Sequence, residues 1–158
     1  MEECSGVLRV GDRAPDFSST SSSGTPWALS GFAGKTNVVL FFYPKDNSSG
    51  CTRQVCSYRD NLEAIMELNA VMLGVSRDSD ASHERFIAEN RLPFPLMSDR
   101  DGRLSALYGV ERLWGIIPFV KRVTYVIDRQ GIVRGVIHDE FRIERHTQEV
   151  LRILRAIR

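Results

Sequence analysis

Two hydrophobic periods alternate along this chain. The run Asn37-Val38-Val39-Leu40-Phe41-Phe42-Tyr43 is continuous and partly β-branched, which predicts a buried strand that Pro44 ends. A polar loop follows through Gly50. From Cys51 the spacing becomes helical: Cys51, Val55, Tyr58, Leu62 and Ile65 share one face, while Arg53, Arg59, Asp60 and Glu63 take the other. Residues 71–76 read as a second strand and 81–90 as a second helix. Leu92-Pro93-Phe94-Pro95-Leu96 reads as an extended connection, and 103–108 as a short helix. Residues 122–127 predict a third core strand, Asp128-Arg129-Gln130-Gly131 a turn, and 132–137 the returning arm of a hairpin. The last segment, 145–157, is amphipathic, with Val150, Leu151, Leu154 and Ile157 inward.

The Ser-rich stretch from Ser18 to Ser23, between Phe17 and Trp27, predicts the turn of an N-terminal hairpin. Two β-α units, a hairpin and a closing helix together define an α/β fold, a mixed central sheet flanked by helices on both faces. That order is the thioredoxin-like plan, here with an N-terminal hairpin extension. No internal repeat or linker divides the chain, so residues 1–158 are expected to form a single domain, with 1–6 a flexible tail.

Composition narrows the function. The chain has 158 residues, enough for a real core, and its formal net charge of +1 gives no field that would favour nucleic acid. No segment reaches the roughly 18–20 apolar residues of a membrane span. The start, Met1-Glu2-Glu3-Cys4, is acidic and unlike a signal peptide, so a cytoplasmic protein is expected. Its cysteines are Cys4, Cys51 and Cys56, an odd set that does not resemble a secreted disulfide framework.

Cys51 falls where the loop turns into its helix. Unpaired N–H groups and the positive end of the helix dipole favour a thiolate there. A buried, inert cysteine is an equally good reading of position alone. Cys56 shifts the balance. Five residues along a helix separate Cα atoms by roughly 8–9 Å, beyond the ~7 Å reach of a disulfide. A structural bond on an intact helix is therefore excluded, whereas a transient one that forms as the helix start unwinds is coherent.

The segment from Phe42 to Cys56 carries Pro44-Lys45-Asp46-Asn47-Ser48-Ser49-Gly50-Cys51, and it resembles the peroxiredoxin active-site pattern Pro-x-x-x-Thr/Ser-x-x-Cys. It is most similar to the bacterioferritin-comigratory, or Q-type, class, in which a resolving cysteine often follows five residues after the peroxidatic one. Residues 10–17, Gly34-Lys35 and 122–128 also resemble family stretches. The resemblance implies a peroxidase in which Cys51 attacks a hydroperoxide and Cys56 closes a disulfide on it. Ser48 would hydrogen-bond thiolate and peroxide, Pro44 would shield the thiolate, and Arg122 would stabilise charge. Gln54 could orient Arg122. Thioredoxin or a similar dithiol protein would recycle the enzyme, with no cofactor and no metal. A monomer is expected, with no nucleic-acid or membrane partner. Ser49 departs from the Thr-Pro often found in close relatives, which removes a backbone restraint before the helix.

Competing readings are a disulfide exchanger, a copper-binding module and a redox sensor. The first normally uses a Cys-x-x-Cys spacing absent here, and the second would need a placed histidine. The third shares the first chemical step. His83, His138 and His146 are expected on the surface, and Cys4 as a bystander. Trp114, Ile116, Ile117 and Phe119 are expected as core, pocket wall or partner patch, and the arginines from Arg142 to Arg158 as a solvated face.

Overall fold

The alternation along one strand organises the core. A computed structural model describes residues 7–111 and 119–158; Cys4, Trp114, Ile116 and Ile117 lie outside them. Strand β3, Asn37–Phe42, is wholly buried. Val39 and Phe41 join one apolar cluster with Cys51, Val55, Tyr58, Phe86 and Val150. Val38, Leu40 and Phe42 join another, with Phe17, Leu104, Tyr108 and Tyr125. Because strand side chains alternate, the continuous apolar run supplies both layers at once.

Strands β1 (Ser18–Thr20) and β2 (Pro26–Ala28) form the N-terminal antiparallel hairpin. Three serine-stretch residues expected in the turn are thus in a strand, and the turn is Ser21–Thr25, closed by Ser21 N donating to Thr25 O. After β3 come α1 (Ser49–Asp60), α2 (Leu62–Glu67), β4 (Ala70–Ser76), α3 (Asp80–Asn90), β5 (Leu96–Ser98) and α4 (Arg103–Leu107). The chain closes with β6 (Val123–Ile127), β7 (Val133–His138) and α5 (Ile143–Ala156). The main sheet has the order β5-β4-β3-β6-β7, with β3, β4 and β5 parallel and β6 and β7 antiparallel. Helices α1, α2, α3 and α5 pack through one cluster, and α4 with the N-terminal segment covers the other face. No helix among the described residues is long and apolar enough to cross a membrane.

The single helix read from Cys51 to Ile65 is in fact two. Asn61 leaves helical geometry at φ −110° and ψ 8°, and its side-chain N–H shares Ser57 O at 2.8 Å with its own backbone N–H at 3.2 Å. The helix also begins earlier than expected, at Ser49, with Ser48 as its cap. β5 was not separable from the extended connection before it, being only three residues long.

The expectation of surface histidines fails for two of three. His83 and His146 are both 0% exposed, while His138 lies at the surface. His146 escapes its solvent-facing reading because polar groups meet both its nitrogens. Tyr58 Oη bonds Thr124 Oγ1 at 2.6 Å, Thr124 Oγ1 bonds His146 Nδ1 at 2.9 Å, and His146 Nε2 donates to Asp139 O at 2.8 Å. The chain of bonds ties α1, β6 and α5 together through the core. Asp139 caps the start of α5, accepting from the N–H groups of Phe141 and Arg142.

Gly74 in β4 has no room for a side chain, since a Cβ there would lie 2.6 Å from Phe41 Cζ and 2.7 Å from Leu96 Cδ2. Gly74→Ala is expected to destabilise the fold by about 1–3 kcal/mol, read as a lower urea midpoint with unchanged slope. His146 supplies a pH test. Burial, followed by the nearby Arg122 charge, pushes its pKa down to about 4, against raising contributions from Asp139 and Glu140. The unfolded chain therefore takes up this proton first, so the contribution is complete above pH ~6.5 and is lost as pH falls towards 4. Between pH 7 and 4.5, wild type should lose about 2–3 kcal/mol more than His146→Asn in urea unfolding.

Candidate active site

Cys51 enters α1 at its first turn, and the sequence local to it explains the placement. Pro44 halts β3 and the polar loop after it crosses the end of the sheet. Ser48, extended at φ −72°, caps the helix by accepting a hydrogen bond from Cys51 N at 3.4 Å. Its own hydroxyl donates to Lys45 O at 3.1 Å. The thiol is 0% exposed, packed against Val55 and Tyr58 within the α1-side core.

Arg122 reaches the thiol from the neighbouring strand. β6 pairs with β3 so that Val123 faces Phe42, which leaves Arg122 just beyond the ladder, across from Tyr43. Its Nη1 donates to Cys51 Sγ at 3.3 Å and to Gln54 Oε1 at 2.7 Å. A terminal guanidinium nitrogen has two hydrogens, and here each has its own acceptor. Gln54 lies one turn after Cys51, so the helix presents thiol and amide on the same face. The backbone of Arg122 is held by Glu140, whose Oε2 accepts its N–H at 2.9 Å. Burial works to raise the Glu140 pKa, but the bonds from His138 and Arg122 outweigh it and hold the carboxyl below its ordinary value. Gly50 completes the fit: a Cβ there would stand 3.1 Å from Arg122 Nη2.

Two buried donors at the site have no partner among the described residues, Gln54 Nε2 and Arg122 Nε. Both belong to residues that already flank the thiol, so unused hydrogen-bonding capacity is concentrated around it. Beneath them lies Tyr58, whose pKa is raised far above its ordinary value by burial, so its hydroxyl stays a neutral donor.

Cys56 sits on the same helix, half-buried. Its Sγ lies 3.6 Å from Asn90 Oδ1, at the end of α3, and Arg59 clamps the same residue by donating to Asn90 O at 2.7 Å. Both thiols are free. Pro44 is half-buried and lines a cavity of about 270 Å³ with Lys45, Arg77, Asp78, Arg100 and Phe119. Ser48 thus meets Cys51 at its amide, and Arg122 joins the Cys51 sulfur to Gln54. Cys56 is offset along α1, and Pro44 lines a separate cavity on the loop side. Sequence reasoning missed Gly50, Tyr58, Glu140 and His146 as parts of this neighbourhood, because each is recruited by the fold rather than by spacing.

Comparison with known proteins gives the chain a family. Residues 10–136 match the AhpC/TSA family model. The chain is 38% identical over 149 residues to chloroplastic peroxiredoxin Q of Sedum lineare, covering 94% of this chain and 78% of that one. The crystal structure of peroxidoxin BcpB from Mycobacterium tuberculosis superposes with a TM-score of 0.88 at 39% identity, covering 96% of this chain and 99% of that one. A Xylella fastidiosa PrxQ mutant structure follows at 0.85 and 30% identity, covering 95% and 97%. The chain therefore belongs to the AhpC/TSA family, and within it to the peroxiredoxin Q, or bacterioferritin-comigratory, class of thiol peroxidases.

Proposed function

We propose that Cys51 is the peroxidatic cysteine of this enzyme and Cys56 its resolving partner, with hydrogen peroxide and organic hydroperoxides as substrates. The observation that carries the reading is the Arg122 Nη1 bond to Cys51 Sγ, fixed by the second bond to Gln54. In the first step the Cys51 thiolate attacks the terminal peroxide oxygen. An S–O bond forms, the O–O bond breaks, and the displaced alkoxide or hydroxide takes a proton to leave as alcohol or water. Arg122 is placed to hold the thiolate and to meet charge growing on the breaking bond. Ser48, whose Oγ lies at the Cys51 amide, would turn its hydroxyl from Lys45 O to meet the peroxide, and Pro44 would close the approach on the loop side.

In the second step the Cys56 sulfur attacks the Cys51 sulfenic acid, forming the S–S bond and releasing water. The intact helix keeps the two sulfurs apart, so α1 must open between them. Its two halves are held unequally. The start rests on a 3.4 Å cap bond and carries no acidic residue in its first turn. Further along, Ser57 bonds Thr147 at 2.6 Å, Tyr58 bonds Thr124 at 2.6 Å and Arg59 holds Asn90. Cys51 therefore travels to Cys56 rather than the reverse. Thioredoxin or a similar dithiol protein then reduces the exposed disulfide, a cycle suited to a reducing compartment such as the cytosol. Every group named belongs to one chain, so the working unit of this scheme is a monomer.

Peroxide consumption coupled to thioredoxin, thioredoxin reductase and NADPH tests the scheme. Cys51→Ser should abolish turnover. Cys56→Ser should stop recycling yet allow one stoichiometric oxidation, and turnover that survives Cys51→Ser would refute the assignment. Arg122→Met should slow Cys51 oxidation about 10²-fold. Gly50→Ala should separate rate from stability. The helix gains up to about 1 kcal/mol, so its melting temperature should not fall, while the crowded Arg122 cuts oxidation several-fold in stopped-flow fluorescence.

A further inference from the structure

A second buried polar cluster lies on the loop that leads into Cys51, and it rests on no group used above. His83, in the first turn of α3, places Nε2 3.1 Å from Met97 O, which can only accept, so that nitrogen carries a hydrogen. Nδ1 lies 2.8 Å from Asp46 Oδ2. Asp46 also accepts from Tyr43 Oη at 2.7 Å and from Ser82 Oγ at 2.8 Å. Burial opposes ionisation of Asp46, but the bonds from His83 and Tyr43 outweigh it and hold its pKa below the ordinary carboxylate value. The Asp46–His83 contact is fully enclosed, with side chains 1% and 0% exposed.

Its position in the chain gives it a use. Pro44 and Ser48 bracket Asp46, whose backbone N–H is bound in addition by Asp78 Oδ2 at 2.9 Å. The next residue, Asn47, is left-handed at φ +67°, a turn conformation that Asn adopts more readily than other residues with a side chain. Beyond it, the bonds of Ser48 are local, to Cys51 N, Lys45 O and Thr52 N. The fixed and the releasable parts of the loop therefore meet at Asn47. Resting on the assignment of Cys51 and Cys56 above, we propose that the buried Asp46–His83 hydrogen-bonded pair is a positioning device for the peroxidase. It pins the loop that presents Pro44 and Ser48 onto α3, and it makes Asn47 the upstream hinge of the segment that unwinds toward Cys56. Peroxide oxidation needs the pin, because the loop must be in register with the thiol. Disulfide closure does not, because everything that moves lies after the hinge.

Asp46, Asp78 and His83 also bring their ligand atoms within 4.8 Å of one another. A cation would have to displace donors already in place, since Asp78 Oδ2 accepts from Ser76 Oγ as well as from Asp46 N.

Stopped-flow measurements on Asp46→Asn, His83→Gln and the double variant, with Ser82→Ala as a milder break, read the two steps apart. Each single charge variant, still folded by circular dichroism, should oxidise Cys51 about tenfold more slowly with hydrogen peroxide, while Cys51–Cys56 closure is unchanged or faster. The double variant, which strands no charge, should recover part of the loss, and Ser82→Ala should lose only about two- to threefold. A general weakening of the fold would not split the two rates in this way. Closure slowed in step with oxidation, or oxidation within twofold of wild type in both folded charge variants, would overturn the pin. So would a melting temperature raised by zinc chloride in wild type but not in Asp46→Asn, which would mark a cation site. Peroxide turnover that survives Cys51→Ser overturns the parent assignment; unchanged rates in the pin variants, with Cys51 essential, overturn the pin alone.

Discussion

One guanidinium nitrogen holds the site together. Arg122 Nη1 gives one hydrogen to the Cys51 sulfur and the other to Gln54, inside a region closed to solvent. Such a contact is strong only if neither partner can drift, and the fold is built to prevent drift. β6 sits beside the central strand β3, Glu140 ties the Arg122 backbone down, and Gly50 keeps the guanidinium's space clear. The hydrogen-bond chain from Tyr58 through Thr124 to His146 then fastens the helix that bears the thiol to the helix that closes the fold.

That rigidity conflicts with the second half of the proposed cycle, in which the same helix has to open. The conflict is resolved by distributing strength unevenly along α1. Bonds to α3, β6 and α5 gather in the half that carries Cys56, Ser57, Tyr58 and Arg59. The half that carries Cys51 has the long cap bond, Arg122 and the exposed Arg53–Glu144 pair, which solvent weakens. Sulfur oxidation weakens the second of these, because a neutral sulfenic acid no longer draws the guanidinium as a thiolate does. The first chemical step thus loosens the part of the helix that the next step must move. Ser49, where close relatives often place proline, adds no restraint of its own at this point.

Much of this was legible in the sequence. The apolar run of β3, the helical period after Cys51 and the closing amphipathic helix were plain from spacing. The roles of Ser48, Arg122 and Gln54 came from resemblance, since nothing in spacing joins residue 51 to residue 122. What stayed hidden depended on contacts between distant residues. His83 and His146 read as surface groups because polarity in one dimension says nothing of partners. Asp46 and Met97 satisfy the first, and Thr124 and Asp139 the second. The break at Asn61 hid for the opposite reason, as a side chain competing locally with its own backbone inside an otherwise regular pattern. β5 was too short for any period to register.

The closed position of Cys51 has a wider consequence. A thiol with no exposed surface cannot be touched by another protein while its helix is intact. The proposed cycle lets the protein reductant find its target only after the disulfide has carried the oxidised sulfur outward. On the proposed cycle, oxidation and reduction use different shapes of one molecule, which insulates the two half-reactions from each other.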